Sequence, residues 1–493
     1  MKRVRWTVAW AALVALMVAL SSGLVASAAS LIQISSDPYT NSTSQHKTEV
    51  EPDSFSYGNT IVMATQVGRF TDGGSSNIGF ATSTNNGQTW TNGFLPGTTV
   101  FASPAGPYNR ISDPAVAYDA KDNVWLISSL AITTSGSSVL GAAVIVNRST
   151  DGGLTWGNPV TVNAATGSAN LDKEWVVCDN TSTSPYFGRC YVEWDDNGAG
   201  NRIKMSTSIN GGLTWGAALN TANNATGLGG QPVVQPNGTV IVPIANANTT
   251  AILAFTSTNG GASWSRTRTV ATISDHAVAG GLRTEPLPSA EIDGAGKVYV
   301  VWQDCRFRSN CTSNDIVMST STNGTNWSAV IRIPIDATNS GVDHFIPGLA
   351  VDKTTSGSTT RLGLTYYYYP TANCTAATCQ LTVGYISSAN GGGSWSAATQ
   401  LAGPMTLNRL PSTTQGPMVG DYISTSFAGD GKGHPVFAVA NAPSGATFDE
   451  AIYSPSSGLT SKATQQATPT ADEPIVVTTT SDHAVSAEPH TAR

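Results

Sequence analysis

Charged and polar side chains recur at one particular place in this sequence, at or just before the start of short apolar segments. This placement is unusual because only 12% of all residues are charged. Carboxyl groups can act as general acids and bases, and guanidinium groups can bind a carboxylate through two parallel hydrogen bonds. If the segments are strands that share one end, these groups converge and acquire perturbed pKa values, which is typical of functional sites. The residues are Glu51 and Asp53, Arg110 and Asp113, Asp172, Lys173 and Glu174, Gln231, Arg283 and Glu285, Asp343 and His344, and Asp421 and Tyr422.

Each of these positions opens the same pattern, an apolar segment followed by a turn and a second apolar segment. Two clear copies are QPVVQPNGTVIVPIA, which begins at Gln231, and PSAEIDGAGKVYVVWQD, which begins at Pro288. Short apolar runs separated by Gly, Asn and Asp are typical of β-hairpins. The chain contains seven copies of this hairpin, so it is built from sequence repeats.

A second repeated element follows six of the hairpins. It reads STDGGLTW from Ser149 to Trp156, and a Ser, an Asp or Asn, a Gly and a Trp keep similar spacing in every copy. The Asp or Asn side chain can accept hydrogen bonds from nearby backbone N–H groups, and the Gly can adopt the positive φ that a tight turn requires. Nothing in the element supplies a nucleophile, a base or an open metal site, so we interpret it as a structural turn. The other copies begin at Ser83, Ser208, Ser257, Ser321 and Ser388.

The two elements together predict an all-β protein built from four-stranded antiparallel sheets. Four short strands per repeat are typical of a β-propeller blade. Seven hairpins predict a single propeller with seven blades, and six blades is the alternative if the turns count them. The last unit lacks a fourth strand after DEAIYS, and an unassigned strand, SLIQISS, begins at Ser30. We therefore expect residues 30–36 to close the ring as the outer strand of the last blade, because closure removes exposed sheet edges.

The two ends of the chain differ in composition from the repeats. Basic residues near the N-terminus, an apolar run from Val8 to Leu20 and the small residues 26–28 predict a secretory signal peptide over residues 1–28. The run is shorter than the roughly 20 residues of a membrane-spanning helix, which is the competing interpretation. Residues 29–456 then form the propeller, and residues 457–493 are a low-complexity segment that we expect to be disordered. We accordingly expect a secreted protein.

Cysteine usage and net charge limit the partners. Six cysteines fall into three close pairs, which in an exported chain predict local disulfides, although spacing does not prove the connectivity. No CxxC or Cys/His cluster indicates a metal site. A net charge of -7 argues against nucleic acid and against an anionic membrane surface. The pairs are Cys178 with Cys190, Cys305 with Cys311, and Cys374 with Cys379.

The six turn elements resemble Asp boxes, also called BNR repeats, and the chain from about Leu31 to Ser456 is similar to the sialidase-type β-propeller superfamily. That superfamily includes sialidases, other glycosidases and binding propellers without catalysis. The resemblance therefore implies the fold more strongly than the activity. It also implies a carbohydrate or glycoconjugate as the partner.

The resemblance also implies roles for individual residues. Sialidases bind the substrate carboxylate with three arginines, use an Asp as acid and base, and attack with a Tyr that a Glu assists. The segment YNRISDP resembles the Arg-Ile-Pro motif, with Ser112 in place of the proline. Tyr422 would be the nucleophile, Glu285 or Glu174 its assistant and Asp113 the acid, and Asp421 would contact the substrate. The candidate arginines are Arg110, Arg283, Arg306 and Arg409.

Three functions follow from these residues and from the resemblance. The first is a secreted glycoside hydrolase of the exo-α-sialidase type that acts on an acidic terminal sugar. The second is a propeller that binds a glycan or a protein without catalysis. The third is a glycosidase that uses two carboxyl groups, such as those of Asp113 and Glu174. We expect a monomer without a cofactor or a metal in its active site, and a structural Ca²⁺ is left open.

Overall fold

The computed structural model describes residues 30–462 and the two-residue strand at 466–467. The predicted signal peptide, residues 1–28, lies outside the described residues, as does most of the predicted tail. The described chain is built from β-strands and five short 3-10 turns. The predicted all-β class and the four-stranded antiparallel sheets are therefore confirmed. The 3-10 turns are Asn197–Ala199, Ala279–Gly281, Ser309–Cys311, Gly357–Thr359 and Leu407–Arg409.

The strands fall into seven successive units, which we number I to VII. Strand β1 (Leu31–Gln33) precedes unit I, which comprises β2 (Glu49–Tyr57), β3 (Thr60–Arg69), β4 (Ser75–Ser83) and β5 (Thr91–Phe94). Unit II comprises β6 (Arg110–Asp119), β7 (Val124–Ser135), β8 (Ser138–Ser149) and β9 (Val160–Ala164). Unit III comprises β10 (Leu171–Cys178), β11 (Cys190–Asp196), β12 (Arg202–Ser208) and β13 (Leu219–Asn220). Unit IV comprises β14 (Gly227–Leu228), β15 (Val233–Val234), β16 (Val240–Asn246), β17 (Ala251–Ser257) and β18 (Arg268–Thr272).

The remaining strands complete three further units and two small pairs. Unit V comprises β19 (Ser289–Ile292), β20 (Val298–Asp304), β21 (Asp315–Ser321) and β22 (Ile331–Arg332). Unit VI comprises β23 (Asp343–Val351), β24 (Leu362–Tyr369), β25 (Gln380–Ser388) and, beyond β26 (Ser394–Trp395), β27 (Thr399–Thr406). After the hairpin of β28 (Ser412–Thr413) and β29 (Gly416–Pro417), unit VII comprises β30 (Ser424–Phe427), β31 (Gly433–Ala440) and β32 (Glu450–Pro455). Strand β33 (Gln466–Ala467) pairs with β26.

The innermost strands of successive units contact one another in a cycle that returns to its start. Strand β2 contacts β6, β6 contacts β10, and the series continues through β15, β19, β23 and β30 to β2. Hydrogen bonds between side chain and backbone join neighbours along this cycle. The N–H of Val116 donates to Asp53 at 2.7 Å, and that of Ala290 donates to Gln231 at 2.9 Å. Starts of strands that are distant in sequence are thereby brought near one another.

The hydrophobic core is divided into layers between neighbouring units. One layer joins unit II, through Leu126 and Val144, to Val192 and Trp194 of unit III. Positions of this layer lie two residues apart along a strand, as Val192 and Trp194 do in β11, so they share one face of the sheet. The sheet of the neighbouring unit covers that face. Strands with both faces covered are apolar along their length, which matches the short apolar runs of the sequence.

The N-terminal strand pairs with the last unit, as we predicted. Strand β1 is antiparallel to β32, with Leu31 opposite Pro455, and it forms the outer strand of unit VII. The N–H of Ile34 donates to the carbonyl of Ile452 at 2.9 Å, and the Ile34 side chain is buried in the core of units VI and VII. The first described residues of the chain therefore complete the last sheet.

The six repeated turns share one hydrogen-bond pattern. In the turn at Ser149, the serine hydroxyl donates to Asp151 at 2.8 Å and accepts from the N–H of Gly153 at 2.9 Å. The other five turns repeat both contacts between the corresponding residues. Gly153 has a positive φ of 84° and packs against Val62 of unit I, so the turn also joins neighbouring units.

The three predicted disulfides are confirmed, and each staples a local loop. They join Cys178 to Cys190, Cys305 to Cys311, and Cys374 to Cys379. At the start of the predicted tail, Leu459 exchanges backbone hydrogen bonds with Gly433 and packs on the core. Within residues 30–462 and 466–467, no helix has the length and apolar character needed to span a membrane.

The role of the N-terminal strand can be tested at Ile34. Replacing this buried side chain with alanine leaves a cavity, so we expect Ile34→Ala to lower the free energy of unfolding by about 2–5 kcal/mol. Thermal and denaturant unfolding of the full chain would measure the change. Ile32→Ala, at a half-buried position of β1 two residues before Ile34, is the matched control and should cost less. Equal stabilities for wild type and Ile34→Ala would mean that the strand does not contribute to closing the fold.

Candidate active site

Four innermost strands share the same irregularity near their starts. The register of β2, β6, β10 and β23 shifts by a β-bulge, and one residue in each bulge has a positive φ. Bulges of this kind re-aim side chains and are common beside active sites. A positive φ is unfavourable for a residue with a Cβ, so the surrounding structure must hold it in place. The four residues are Glu51, Asp113, Lys173 and Ile346, with φ of 56°, 49°, 51° and 49°.

The re-aimed side chains meet in an ion-pair cluster around Lys173. Its ammonium group contacts the carboxylate of Asp421 directly, and it lies 3.6 Å from Asp113 and 4.0 Å from Glu51. Arg283 binds the same Asp421 carboxylate through two N–H groups, with Nε 2.7 Å from Oδ1. The cluster thus connects units I, II, III and VII with the loop that precedes unit V.

Glu51 carries the cluster outward to two further residues. Its carboxyl accepts hydrogen bonds from the side-chain amide of Gln66 and, at 3.3 Å, from the N–H of Asp421. Gln66 in turn accepts from Arg69 at 3.3 Å, and Arg69 also donates to the carbonyl of Gly74 at 2.7 Å. Arg69 is buried, and its Nε and Nη2 donate to no group within the described chain; the same holds for Nη1 of Arg283.

The environment moves the pKa values of the cluster in opposite directions. Burial alone would raise the pKa of Asp421, but Arg283 and Lys173 hold it well below the usual range. Burial, together with repulsion from Asp113 and Asp421, raises the pKa of Glu51 to about 8 despite the opposing effect of Lys173. Burial, followed by repulsion from Arg283, lowers the pKa of Arg69 to about 10. One carboxylate is therefore held ionised while its neighbour is held neutral.

A narrow cavity lies beside the cluster. Glu174 lines it and is buried; burial, followed by repulsion from Asp113, raises the pKa of its carboxyl well above the usual range. The cavity measures about 20 Å³, which is room for one water molecule. Pairs of acids whose environments differ are typical of sites for acid–base chemistry. The cavity is lined by Asp113, Lys173, Glu174, Trp175, Gly229, Gln231, Glu285, Leu287, Pro288, Ile346, Pro347, Asp421 and Tyr422.

Tyr422 lies in this cavity wall but is not prepared for nucleophilic attack. Its hydroxyl donates to the carbonyl of Pro114 at 3.0 Å, and its ring packs edge-on against Trp175 at 5.1 Å. Burial, followed by repulsion from Glu51 and Asp113, raises the pKa of the Tyr422 hydroxyl well above the usual range. The hydroxyl is therefore neutral in this arrangement, and a backbone carbonyl is its hydrogen-bond acceptor.

The structure brings some of the predicted site residues together and leaves others apart. Arg110 pairs with Asp72 at 2.5 Å and stacks over Phe70, and Arg306 pairs with Asp304 at 2.7 Å. Arg409 lies in a half-buried 3-10 turn. A three-arginine clamp would need its arginines to line the cavity. None of these three arginines is among the described residues that do so. The residues brought together are Asp113, Glu174, Glu285, Asp421 and Tyr422, with Arg283 bound to Asp421.

His344, one of the residues at the start of an inner strand, has a structural environment. Its Nδ1 donates to the carbonyl of Asn314 at 3.2 Å, and burial lowers its pKa. Within the described chain, His344 forms a group with Asp315 and Asp336 whose ligand atoms lie within 4.8 Å of one another. Arg308 and Arg332 both pair with these two carboxylates, so the negative charge that would attract a cation is already neutralised.

Arg69 and Gln66 are the members of the cluster that the sequence analysis missed. Both lie in the second strand of unit I, whereas the analysis considered only strand starts. A signal was present, because Gln66 and Arg69 interrupt a strand that is otherwise rich in apolar residues, and both are fully buried. Arg69 also precedes the first repeated turn, whereas Arg110 follows it.

One family model matches part of the chain, and several solved structures are distantly similar to it. Residues 131–348 match the BNR repeat-like domain family. A search of curated proteins gave no match. Three solved structures with a similar fold are a protein of unknown function from Dyadobacter fermentans, the leech intramolecular trans-sialidase and the α-L-arabinofuranosidase of Fusarium graminearum.

The likeness of the three structures is distant. The Dyadobacter protein is 16% identical, with 72% of this chain and 98% of that chain covered and a TM-score of 0.45. The leech enzyme is 13% identical, with 82% and 67% covered and a TM-score of 0.42. The Fusarium enzyme is 12% identical, with 73% and 97% covered and a TM-score of 0.44.

The raised pKa of Glu51 predicts a specific pH dependence of stability. The folded state keeps the proton up to about pH 8, whereas the unfolded chain releases it near the ordinary value of 4.5, so the stabilisation is complete below pH 4.5 and is lost as the pH rises to 8. Glu51→Gln cannot lose a proton, so it should become more stable than wild type by a few kcal/mol between pH 5 and 8, at about 1.4 kcal/mol per pKa unit.

Denaturant unfolding of wild type and Glu51→Gln across this pH range measures the effect. The exposed Asp122→Asn is the control and should follow the wild-type curve. Parallel curves for wild type and Glu51→Gln would show that Glu51 ionises normally and that the cluster is not as tightly buried as the structure indicates.

Proposed function

We propose that this protein, a member of the sialidase-like BNR-repeat superfamily, is a secreted glycoside hydrolase that cleaves an exposed acidic sugar at the centre of a seven-bladed β-propeller. The observation that carries the proposal is the meeting of Asp113, Glu174, Asp421 and Tyr422, from units II, III and VII, at one cavity. Side chains so distant in sequence and so costly to bury are rarely assembled without a function.

The propeller itself is supported by the cycle of contacts among the innermost strands. Seven units contact their neighbours in order, and β30 contacts β2. Strand β1 adds the outer strand to unit VII, so the N-terminal and C-terminal parts of the repeat region share one sheet. In this arrangement the bulged starts of the inner strands surround a common opening, which is where a substrate would enter.

An acidic substrate is supported by the charge of the cluster. Three cations, Lys173, Arg283 and Arg69, lie around Asp421, the carboxylate that is held ionised, while burial favours the neutral forms of Glu51 and Asp113. The excess positive charge favours an anion. Nη1 of Arg283 is buried without a hydrogen-bond acceptor among the described residues, and a sugar carboxylate would satisfy it.

Two carboxyl groups can supply the chemistry. Glu174 is held neutral by burial, so it can protonate the leaving-group oxygen of a glycosidic bond. Burial raises the pKa of the Asp113 carboxyl, and the Lys173 ammonium, 3.6 Å away, opposes that rise; in its ionised form Asp113 can act as base or nucleophile. Both line the cavity, which has room for one water molecule. We therefore assign the acid role to Glu174 and the base or nucleophile role to Asp113.

The alternative chemistry within the same function is attack by Tyr422, assisted by Glu285 or Glu174. It requires the hydroxyl to leave the carbonyl of Pro114 and to lose its proton against the repulsion of Glu51, Asp113 and Glu174. An incoming substrate would have to bring about both changes. The arrangement of the free protein therefore favours the two carboxyl groups over the tyrosine.

The second candidate function is a propeller that binds an acidic glycan without cleaving it. The small size of the cavity favours it, because a volume of about 20 Å³ holds one water molecule and no sugar ring. The ion pairs of Lys173 and Arg283 with Asp421 are also internally satisfied, as in a structural network. In this function a sugar would rest on the opening, and the buried acids would only stabilise the fold.

The two functions differ in whether a chromogenic sialoside is cleaved. For the hydrolase we expect release of the leaving group by wild type, and Glu174→Gln and Asp113→Asn should lower kcat/KM by about 10²–10⁴-fold. Arg283→Lys should weaken binding by about 10- to 100-fold, because it removes a hydrogen-bonded guanidinium. Neutral glycosides should be poor substrates, because they have no carboxylate for the Arg283 guanidinium to bind.

Tyr422→Phe separates the two chemistries, and Arg268→Lys, at an exposed strand position, is the control. If Tyr422→Phe lost activity while Glu174→Gln stayed active, attack by Tyr422 would replace the chemistry of the two carboxyl groups. The binding propeller would be established instead if wild type released no leaving group from any glycoside and were still stabilised by sialyllactose in a thermal shift assay.

A further inference from the structure

A channel of about 410 Å³ runs along the second halves of the inner strands, and all seven units contribute to its wall. Inner strands that contact one another in a cycle leave an opening at the centre of that cycle. Trp175 and Gln231 line both this channel and the cavity of the candidate active site, so they separate the two spaces. The volume of the channel lies within the roughly 300–1,000 Å³ that is typical of sites for small molecules.

Apolar and aromatic side chains form much of the channel wall. In β10, Trp175 and Val177 are half-buried while Val176 between them is buried, so the alternation of the strand turns the first two toward the channel. Phe55 of β2 and Phe427 of β30 are also half-buried and line it. Such a wall favours the apolar body of a small molecule, because contact between them removes apolar surface of both from water.

Three carboxyl groups of the described chain line the channel, and two of them are committed to the fold. Asp53 accepts a backbone hydrogen bond at 2.7 Å, and Asp352 pairs with Arg361. The third carboxyl group belongs to Glu291, whose Oε2 lies 3.5 Å from the ammonium nitrogen of Lys353. Among the described residues this oxygen accepts no closer hydrogen bond. The Glu291 carboxylate is therefore held only by a long ion pair.

The ammonium group of Lys353 marks the place in the channel where a cation is favoured. Besides its contact with Glu291, it lies 4.6 Å from the centroid of the Phe55 ring, so a carboxylate and an aromatic face both attract it. Lys353 is the only cationic residue among the described residues that line the channel. Its side chain is 45% exposed, and ion pairs that are this accessible contribute little to stability, so the side chain can move out into solvent.

We infer that the channel binds a small organic amine with an apolar body, and that the ammonium group of the amine takes the place of the Lys353 ammonium between Glu291 and Phe55. The body of the amine then lies along the apolar wall. Burial raises the pKa of the Glu291 carboxyl and Lys353 opposes that rise, so a cation from the ligand would likewise favour the ionised carboxylate. The inference does not depend on the proposed hydrolase activity, because the channel is a different space from the candidate active site.

Phenethylamine is a suitable probe, and phenylethanol is its neutral match. In a calorimetric titration of the full chain, phenethylamine should bind at a single site, and Tm should rise by a few degrees at about a 100-fold excess over Kd. Phenylethanol should bind at least about 10-fold more weakly, because it brings no charge to the Glu291 carboxylate. Equal binding of the two compounds would overturn the inference, and so would the absence of both heat and Tm shift with phenethylamine.

Two variants with opposite expected effects locate the amine. Glu291→Gln removes the carboxylate and should weaken phenethylamine binding about 10-fold or more. Lys353→Met removes the competing ammonium group but keeps most of the side chain, so it should strengthen binding about 2- to 5-fold. Glu174→Gln, in the cavity of the candidate active site, is the matched control and should bind the amine as wild type does. Loss of binding in Glu174→Gln with Glu291→Gln unaffected would overturn the inference, and so would equal affinities of wild type and Lys353→Met.

Discussion

The contact of Lys173 with Asp421 holds the centre of this molecule together. The two residues are separated by 248 positions in sequence, and their side chains come from units III and VII. A buried ammonium group requires an opposite charge, since the cost of removing it from water is otherwise several kcal/mol. Arg283 binds the same Asp421 carboxylate, and Asp113 and Glu51 lie within 4.0 Å of the Lys173 ammonium. The closing of the fold and the composition of its centre therefore depend on each other.

This dependence explains the unusual backbone at the strand starts. Glu51, Asp113 and Lys173 adopt a positive φ that a regular strand would avoid, and each lies in a bulge. The ion pairs provide the interaction that holds these conformations, and the bulges place the charged groups at the centre instead of between the sheets. Structural strain and concentrated charge thus coincide at the place where we propose that substrate binds.

Much of the architecture was accessible from the sequence because it depends on local interactions. The antiparallel strand pairs and the three disulfides each involve residues within a few tens of positions, and they appear in the structure where they were expected. The pairing of β1 with β32 was also predicted, although the two strands lie at opposite ends of the repeat region. The reason is that the last sheet lacked an outer strand and the first strand lacked a sheet, so pairing the two completed both.

The composition of the site was predicted only in part. Strand starts identified Asp113, Glu174, Asp421 and Tyr422, but the position of a residue along a strand does not reveal which partner its side chain reaches. Arg110 pairs with Asp72, and Arg306 pairs with Asp304, both nearby in the fold. The buried Arg69, in the second strand of unit I, contacts the cluster through Gln66. The sequence by itself determined the repeating strands and turns, because their hydrogen bonds and apolar periodicity are local. Only the tertiary structure decided which charges share the centre, because bulges redirect side chains and burial sets their pKa values through neighbours hundreds of residues away.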